Sequence, residues 1–183
     1  MNRAWLYLGI ILFIACAQKP IFPEVKKSAN NVFADGVYKQ DVQVRFKKNN
    51  RNESAEFKAI LKKTPAEINM YAYVGFGVTL FKLNDNFKDA VEFTTNEPRI
   101  EKSKEFFLKM YPLIKEILLL NPNDARLKNT NTFMLAMPPE NFPVTVTIQD
   151  YVVGETPREL TLENKQHFKF TIITREYAPL SGK

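Results

Sequence analysis

The chain reads as an α+β protein, mostly antiparallel β, with a strongly curved sheet wrapped on a helical segment. Three observations predict this. Apolar and polar residues alternate with a period of two in many short segments. One stretch, 103–118, switches to helical spacing. Clusters of Asn, Asp, Gly and Pro punctuate the segments at hairpin distances.

The strands before the helix come first. Val42, Val44 and Phe46 alternate with Asp41, Gln43, Arg45 and Lys47, which predicts a half-buried strand from Tyr38. The polar run 48–52 turns the chain, and 56–62 form the hairpin partner. Thr64-Pro65 breaks that strand. Residues 68–74 and 78–83 are two more strands joined across Gly75-Phe76-Gly77. Asn84-Asp85-Asn86 is a turn, and 90–94 a short strand.

Phe106, Phe107, Met110, Leu113, Ile114, Ile117 and Leu118 then form one apolar stripe. Ser103 is placed to cap this helix. Pro112 is expected to kink it or split it in two, and Asn121-Pro122 to end it. Strands resume at 132–137 and 144–151. A last hairpin, 159–163 with 167–174, turns about Asn164-Lys165.

The N-terminus places the chain in a cell. Asn2-Arg3 is followed by an unbroken apolar run, residues 4–15, ending at Cys16, the only cysteine. Twelve residues are too few to span a bilayer, which takes about twenty. The layout is that of a secretory signal. Phe13-Ile14-Ala15-Cys16 looks like a bacterial lipobox, which makes Cys16 the expected site of lipid attachment. The alternative is an ordinary secretory peptide with an incidental thiol. The expected divisions are a signal at 1–15, a lipidated cysteine and flexible tether at 16–36, one domain at 37–177, and a tail at 178–183. Pro20, Pro23 and a lack of periodicity mark the tether. Ala17 follows the cysteine, and by resemblance to enteric lipoproteins the absence of aspartate there favours the outer membrane.

Composition narrows the chemistry. The formal net charge is +6, with scattered lysines rather than a basic-aromatic nucleic-acid motif, so no nucleic acid is expected as partner. One cysteine allows no intrachain disulfide. His167 is the lone histidine, beside a turn. No Gly-x-Ser-x-Gly elbow, His/Cys zinc set or phosphate-binding glycine loop exists. No enzyme activity, cofactor or metal is therefore expected.

Two features carry a positive signal. The first is Phe76 between Gly75 and Gly77, read either as an exposed apolar prong that contacts membrane, or as a ring tucked into the core or a bulge in one strand. The second is a supply of apolar residues that would line an acyl-chain cavity: Phe57, Leu61, Met70, Leu80, Phe93, Phe106, Met110, Ile114, Met134, Ile148 and Phe170. The same residues would equally build a filled core.

These pieces together resemble the LolA/LolB lipoprotein-localisation family, and LolB more than LolA. The resemblance rests on Cys16, on Val74-Gly75-Phe76-Gly77 after a strand, and on the closing run Val146–Tyr177, with Thr147-Ile148-Gln149-Asp150-Tyr151 and Phe168-Lys169-Phe170-Thr171-Ile172. The one tryptophan, Trp5, lies in the signal, whereas better-known members usually have several in the domain. The resemblance implies an unclosed half-barrel under a helical lid, and a monomer with no cofactor. It implies a cavity that accepts lipoprotein acyl chains from a periplasmic LolA-like carrier. Alternatives are a lipid carrier in an envelope pathway, and an interaction lipoprotein with a filled core and a protein partner.

Overall fold

A computed structural model describes residues 31–48, 51–127, 130–137, 142–150 and 156–180. Cys16, the signal and the tether up to residue 30 lie outside the described residues.

The alternation starting near Tyr38 produces the first of nine antiparallel strands in one sheet. They are β1 (Gly36–Lys48), β2 (Arg51–Lys63), β3 (Ile68–Tyr73), β4 (Thr79–Asp85) and β5 (Glu92–Thr94), then β6 (Thr132–Met137), β7 (Phe142–Gln149), β8 (Glu159–Asn164) and β9 (Phe168–Pro179). Their spatial order is β5-β4-β3-β2-β1-β9-β8-β7-β6. Each half is a meander of neighbours in sequence. Among the described residues one pairing of strands far apart in sequence joins the halves: β1 runs beside β9, from Gly36 opposite Pro179 to Phe46 opposite Phe168. The sheet is open, with β5 and β6 at its two edges.

Two helices connect the halves: α1 (Pro98–Glu101) and α2 (Lys104–Leu118). The α2 stripe buries Met110, Leu113, Ile117 and Leu118, and adds Tyr111. The expected break at Pro112 does not occur, and α2 is continuous through it. Pro112 is exposed, so the carbonyl that loses its helical donor there lies on the solvent side of the helix. Ser103 occupies the cap position but makes no capping bond. Its hydroxyl points back to the Arg99 carbonyl instead. The carboxylate of Glu97 caps α1 by accepting from the Arg99 N–H at 3.3 Å.

The domain begins earlier than the expected boundary at 37. Val32, Phe33 and Ala34 are buried. The Val32 N–H donates to the Leu120 carbonyl at 2.7 Å, just past α2. The Tyr38 hydroxyl donates to the Ala34 carbonyl, and Tyr177 donates to the Asp35 carbonyl at 3.0 Å. Residues 32–34, at the end of the segment read as tether, are therefore part of the core. Gly36 is required by close approach: a Cβ there would lie 2.3 Å from the Tyr177 ring. The expected tail also shrinks, because β9 continues to Pro179.

Among the described residues no helix is long and apolar enough to cross a membrane.

Candidate functional site

The register gives the sheet two ends. The tip end holds the end of the β1–β2 hairpin and the β8–β9 turn; β3 points the same way but stops short of it, with Tyr73 opposite Lys58, midway along β2. The opposite end holds Gly36, Lys63, Ile68 and Asp85.

Beyond Tyr73, Gly75–Gly77 makes a tight reversal between β3 and β4, kinked at Phe76. The base of this loop is pinned. The Val74 N–H donates to the Val78 carbonyl at 3.0 Å, and the hydroxyls of Tyr71 and Thr79 pair at 2.6 Å. Its tip is free. Phe76 is fully exposed (109 %), and Val78 is 54 % exposed. Phe76 has φ 63° and ψ 18°, and Gly77 has φ 75°. The left-handed region is natural for glycine but unfavourable for a bulky residue. The ring is exposed rather than tucked into the core.

Beside it, the inner face of the sheet carries a continuous run of aromatic rings. Phe93 stacks on Phe81 at 5.0 Å, and Phe57 meets Phe81 edge-on at 6.0 Å. Phe107 lies 5.0 Å from Phe81, and Phe106 lies 6.2 Å from Phe107. Phe106 in turn touches Phe168 at 5.9 Å and Phe170 at 6.0 Å. The first turn of α2 thus bridges β4 and β5 on one side to β9 on the other. Phe46, Phe57, Met70, Phe106 and Ile114 are packed against the core but only partly buried.

The expected cavity residues divide into groups. Phe57, Met70, Phe93, Phe106, Ile114 and Phe170 belong to this partly covered inner surface or its buried floor. Leu61, Met110 and Ile148 are fully buried and pack as ordinary core. Leu80 occupies an irregularity in β4: Thr79 pairs with Tyr73 and Phe81 with Ala72, so Phe81 takes the buried position. Met134 is a correction. It is 57 % exposed on the outward face, because Phe133, Leu135 and Met137 hold the inward parity of β6. Its sulfur accepts from the Thr145 hydroxyl at 3.3 Å.

Sequence reasoning missed Phe81, whose parity with Leu83 would have revealed it. It also missed a buried clamp at the opposite end. Asp85, 1 % exposed, accepts from the Tyr111 hydroxyl and from the Lys115 Nζ, each at 2.7 Å. The Phe87 N–H adds a third bond at 2.8 Å, and Lys115 lies 4.5 Å above the Phe87 ring. Burial alone would push the Asp85 carboxyl up; the bonds from Lys115, Tyr111 and Phe87 outweigh it and hold it below its ordinary value. Burial, with the Asp85 charge beside it, pushes the Tyr111 phenol up. This clamp fastens α2 to β4. Lys63, wholly buried, pairs with Asp35 at the same end.

His167 is exposed in the β8–β9 turn, its ring 5.2 Å from Phe142. Among the described residues no group of three or more His, Cys, Asp or Glu side chains is placed to hold a metal ion.

No family model matches the chain, and no curated protein matches it.

Proposed function

We propose that this protein is an envelope lipoprotein, similar to the LolB receptors, that takes up acyl chains on the inner face of its open sheet. It is anchored through Cys16 at the periplasmic face of the outer membrane. It accepts a lipoprotein or another acylated lipid from a periplasmic LolA-like carrier and passes the chains into the bilayer.

The observation that supports this reading is the partly buried inner surface of Phe46, Phe57, Met70, Phe106 and Ile114, which runs along the sheet beneath the Phe76 loop. A packed interior leaves few inward apolar side chains uncovered. Here several remain accessible, and each square ångström covered by a ligand chain is worth about 25 cal/mol. Phe76 gains nothing from packing within the domain, and an exposed ring on a pinned loop suits insertion among lipid chains. Cys16 anchors, the segment after it gives reach, and Phe76 eases release.

Complete burial of Leu61, Met110 and Ile148 favours a second reading, a filled core that serves a protein partner.

Two substitutions test the proposal. Replacing Cys16 with Ser should abolish incorporation of labelled palmitate, whereas retained label would remove the anchor. Phe76→Glu should leave acyl-chain binding intact while stopping delivery of an acylated cargo to vesicles. Unchanged delivery would remove Phe76 from the mechanism.

A further inference from the structure

The aromatic run of the inner face ends in a groove. It is open, about 450 Å³ in volume, and lies where the end of the β1–β2 hairpin meets the β8–β9 turn. Phe46 and Phe168, register partners on β1 and β9, supply its apolar wall. Phe168 lies 5.9 Å from Phe106 and 5.8 Å from Phe170, so this wall is continuous with the rings that α2 bridges. The volume falls within the range of about 300–1,000 Å³ usual for small-ligand sites.

The rest of the groove carries charge of both signs. Arg45 and Lys169 face each other across β1 and β9, and Lys47 and Lys165 add to the cationic side. Glu53 stands opposite Phe46 on β2, and Glu163 opposite Lys169 on β8. Among the described residues none of these six side chains is taken up in an ion pair.

This combination selects a ligand. A ring-lined apolar surface takes a hydrocarbon chain. A guanidinium with an ammonium beside it suits a phosphate. Carboxylates on the same rim suit an ammonium and repel a head that is only negative. An N-acylated protein terminus has lost its amine to the acyl group and offers neither charge.

We propose that the inner face prefers a zwitterionic phospholipid, with its chain laid along Phe168, Phe106 and Phe107 and its head in this groove. The phosphate sits on Arg45 and Lys169, and the ammonium on Glu53 and Glu163. The proposal rests on the reading that the inner face takes acyl chains, and it names which acylated cargo that face selects.

Native mass spectrometry compares heads at constant chain length. The full chain, purified in a maltoside detergent, is mixed in turn with lysophosphatidylethanolamine, lysophosphatidylglycerol and a monoacylglycerol, all bearing the same chain. The zwitterionic lipid should give at least about threefold more one-to-one adduct than either of the others, the gain expected from exposed charge pairs. In Glu53→Gln/Glu163→Gln its lead over the anionic lipid should vanish. In Arg45→Gln/Lys169→Gln both phospholipids should fall to the level of the monoacylglycerol. Arg45 and Glu53 are exposed and Glu163 and Lys169 only partly buried, so an unchanged monoacylglycerol adduct in both variants marks an intact domain. Phe106→Ala should weaken all three lipids alike. Equal adducts for the three heads, a stronger adduct with the anionic lipid, or a zwitterionic lead that survives both double substitutions would overturn this ligand and leave the acyl-binding reading standing. Undiminished binding of all three lipids in Phe106→Ala would sever the groove from the inner face and overturn the proposal. No adduct with any lipid would sink the acyl-binding reading and this ligand with it.

Discussion

At the scale of the residue, Phe76 is where stability and function pull apart. A phenylalanine at φ 63° with its ring in solvent strains the backbone and packs against nothing. The left-handed conformation disfavours a non-glycine residue by about 1–2 kcal/mol. Phe76→Gly should therefore raise the melting temperature slightly, by an amount matching about 1 kcal/mol, while abolishing membrane insertion of cargo. A lowered melting temperature would mean that the ring packs where the structure leaves it bare. Gly75 and Gly77 are not equivalent. A Cβ at either meets open space, but only Gly77 has positive φ, so Gly77→Ala should destabilise the loop and Gly75→Ala should not. The exposed aromatic between two glycines was legible in the sequence as a question. Its answer was not, because glycine permits a reversal without dictating where the intervening side chain points. The same limit explains Met134, an apolar residue in a strand segment whose direction follows a parity that composition does not display.

At the scale of the element, α2 is held twice. Its apolar stripe packs on the sheet, and its Tyr111 and Lys115 grip the buried Asp85 of β4. The stripe was readable from spacing alone. The clamp was not, because Asp85 sits in an Asn-Asp-Asn run that reads as a solvated turn, and only tertiary contact brings the helix against it. Removing the carboxylate leaves the buried Tyr111 hydroxyl unpaired beside a Lys115 that is 32 % exposed, so Asp85→Ala should destabilise by about 1–3 kcal/mol in denaturant unfolding. The pH dependence follows from the direction of the shift. The folded carboxyl lies below its unfolded value of about 3.9, so its stabilisation is fully present above that pH. It is lost as pH falls through the folded value. Stability measured from about pH 6 down to about pH 3 should fall more steeply in the parent than in Asp85→Asn. Equal slopes would show that Asp85 is not ionised in the fold. Ser103 illustrates the reverse case, a correct position with a different bond, since its hydroxyl turns to the Arg99 carbonyl rather than to the start of α2.

At the scale of the whole molecule, the two meanders could be read from alternation and turn residues, and so could the helix between them. The seam could not. β1 and β9 pair across nearly the full length of the chain, and nothing local in either strand names its partner. That seam makes two hairpin stacks into one open sheet, and it carries Val32, Phe33 and Ala34 into the core beneath Leu120. It also sets Phe46 opposite Phe168, which completes the aromatic surface from β5 to β9 on the inner face and places Arg45 beside Lys169 on the outer one. Function in this account follows from that geometry: an apolar inner face left partly open beside an exposed prong. Phe57→Ala and Phe106→Ala should accordingly weaken acyl-chain binding more than Met134→Ala, which changes only the outward face. Equal effects would disconnect the inner face from the ligand. The most direct measurement is a titration of a fluorescent acyl-chain probe against the chain from residue 17 onward, followed by competition with an acylated peptide. Binding should be saturable, displaced by the acylated peptide and not by the unacylated one. A well-folded domain that binds no probe would contradict the proposed function.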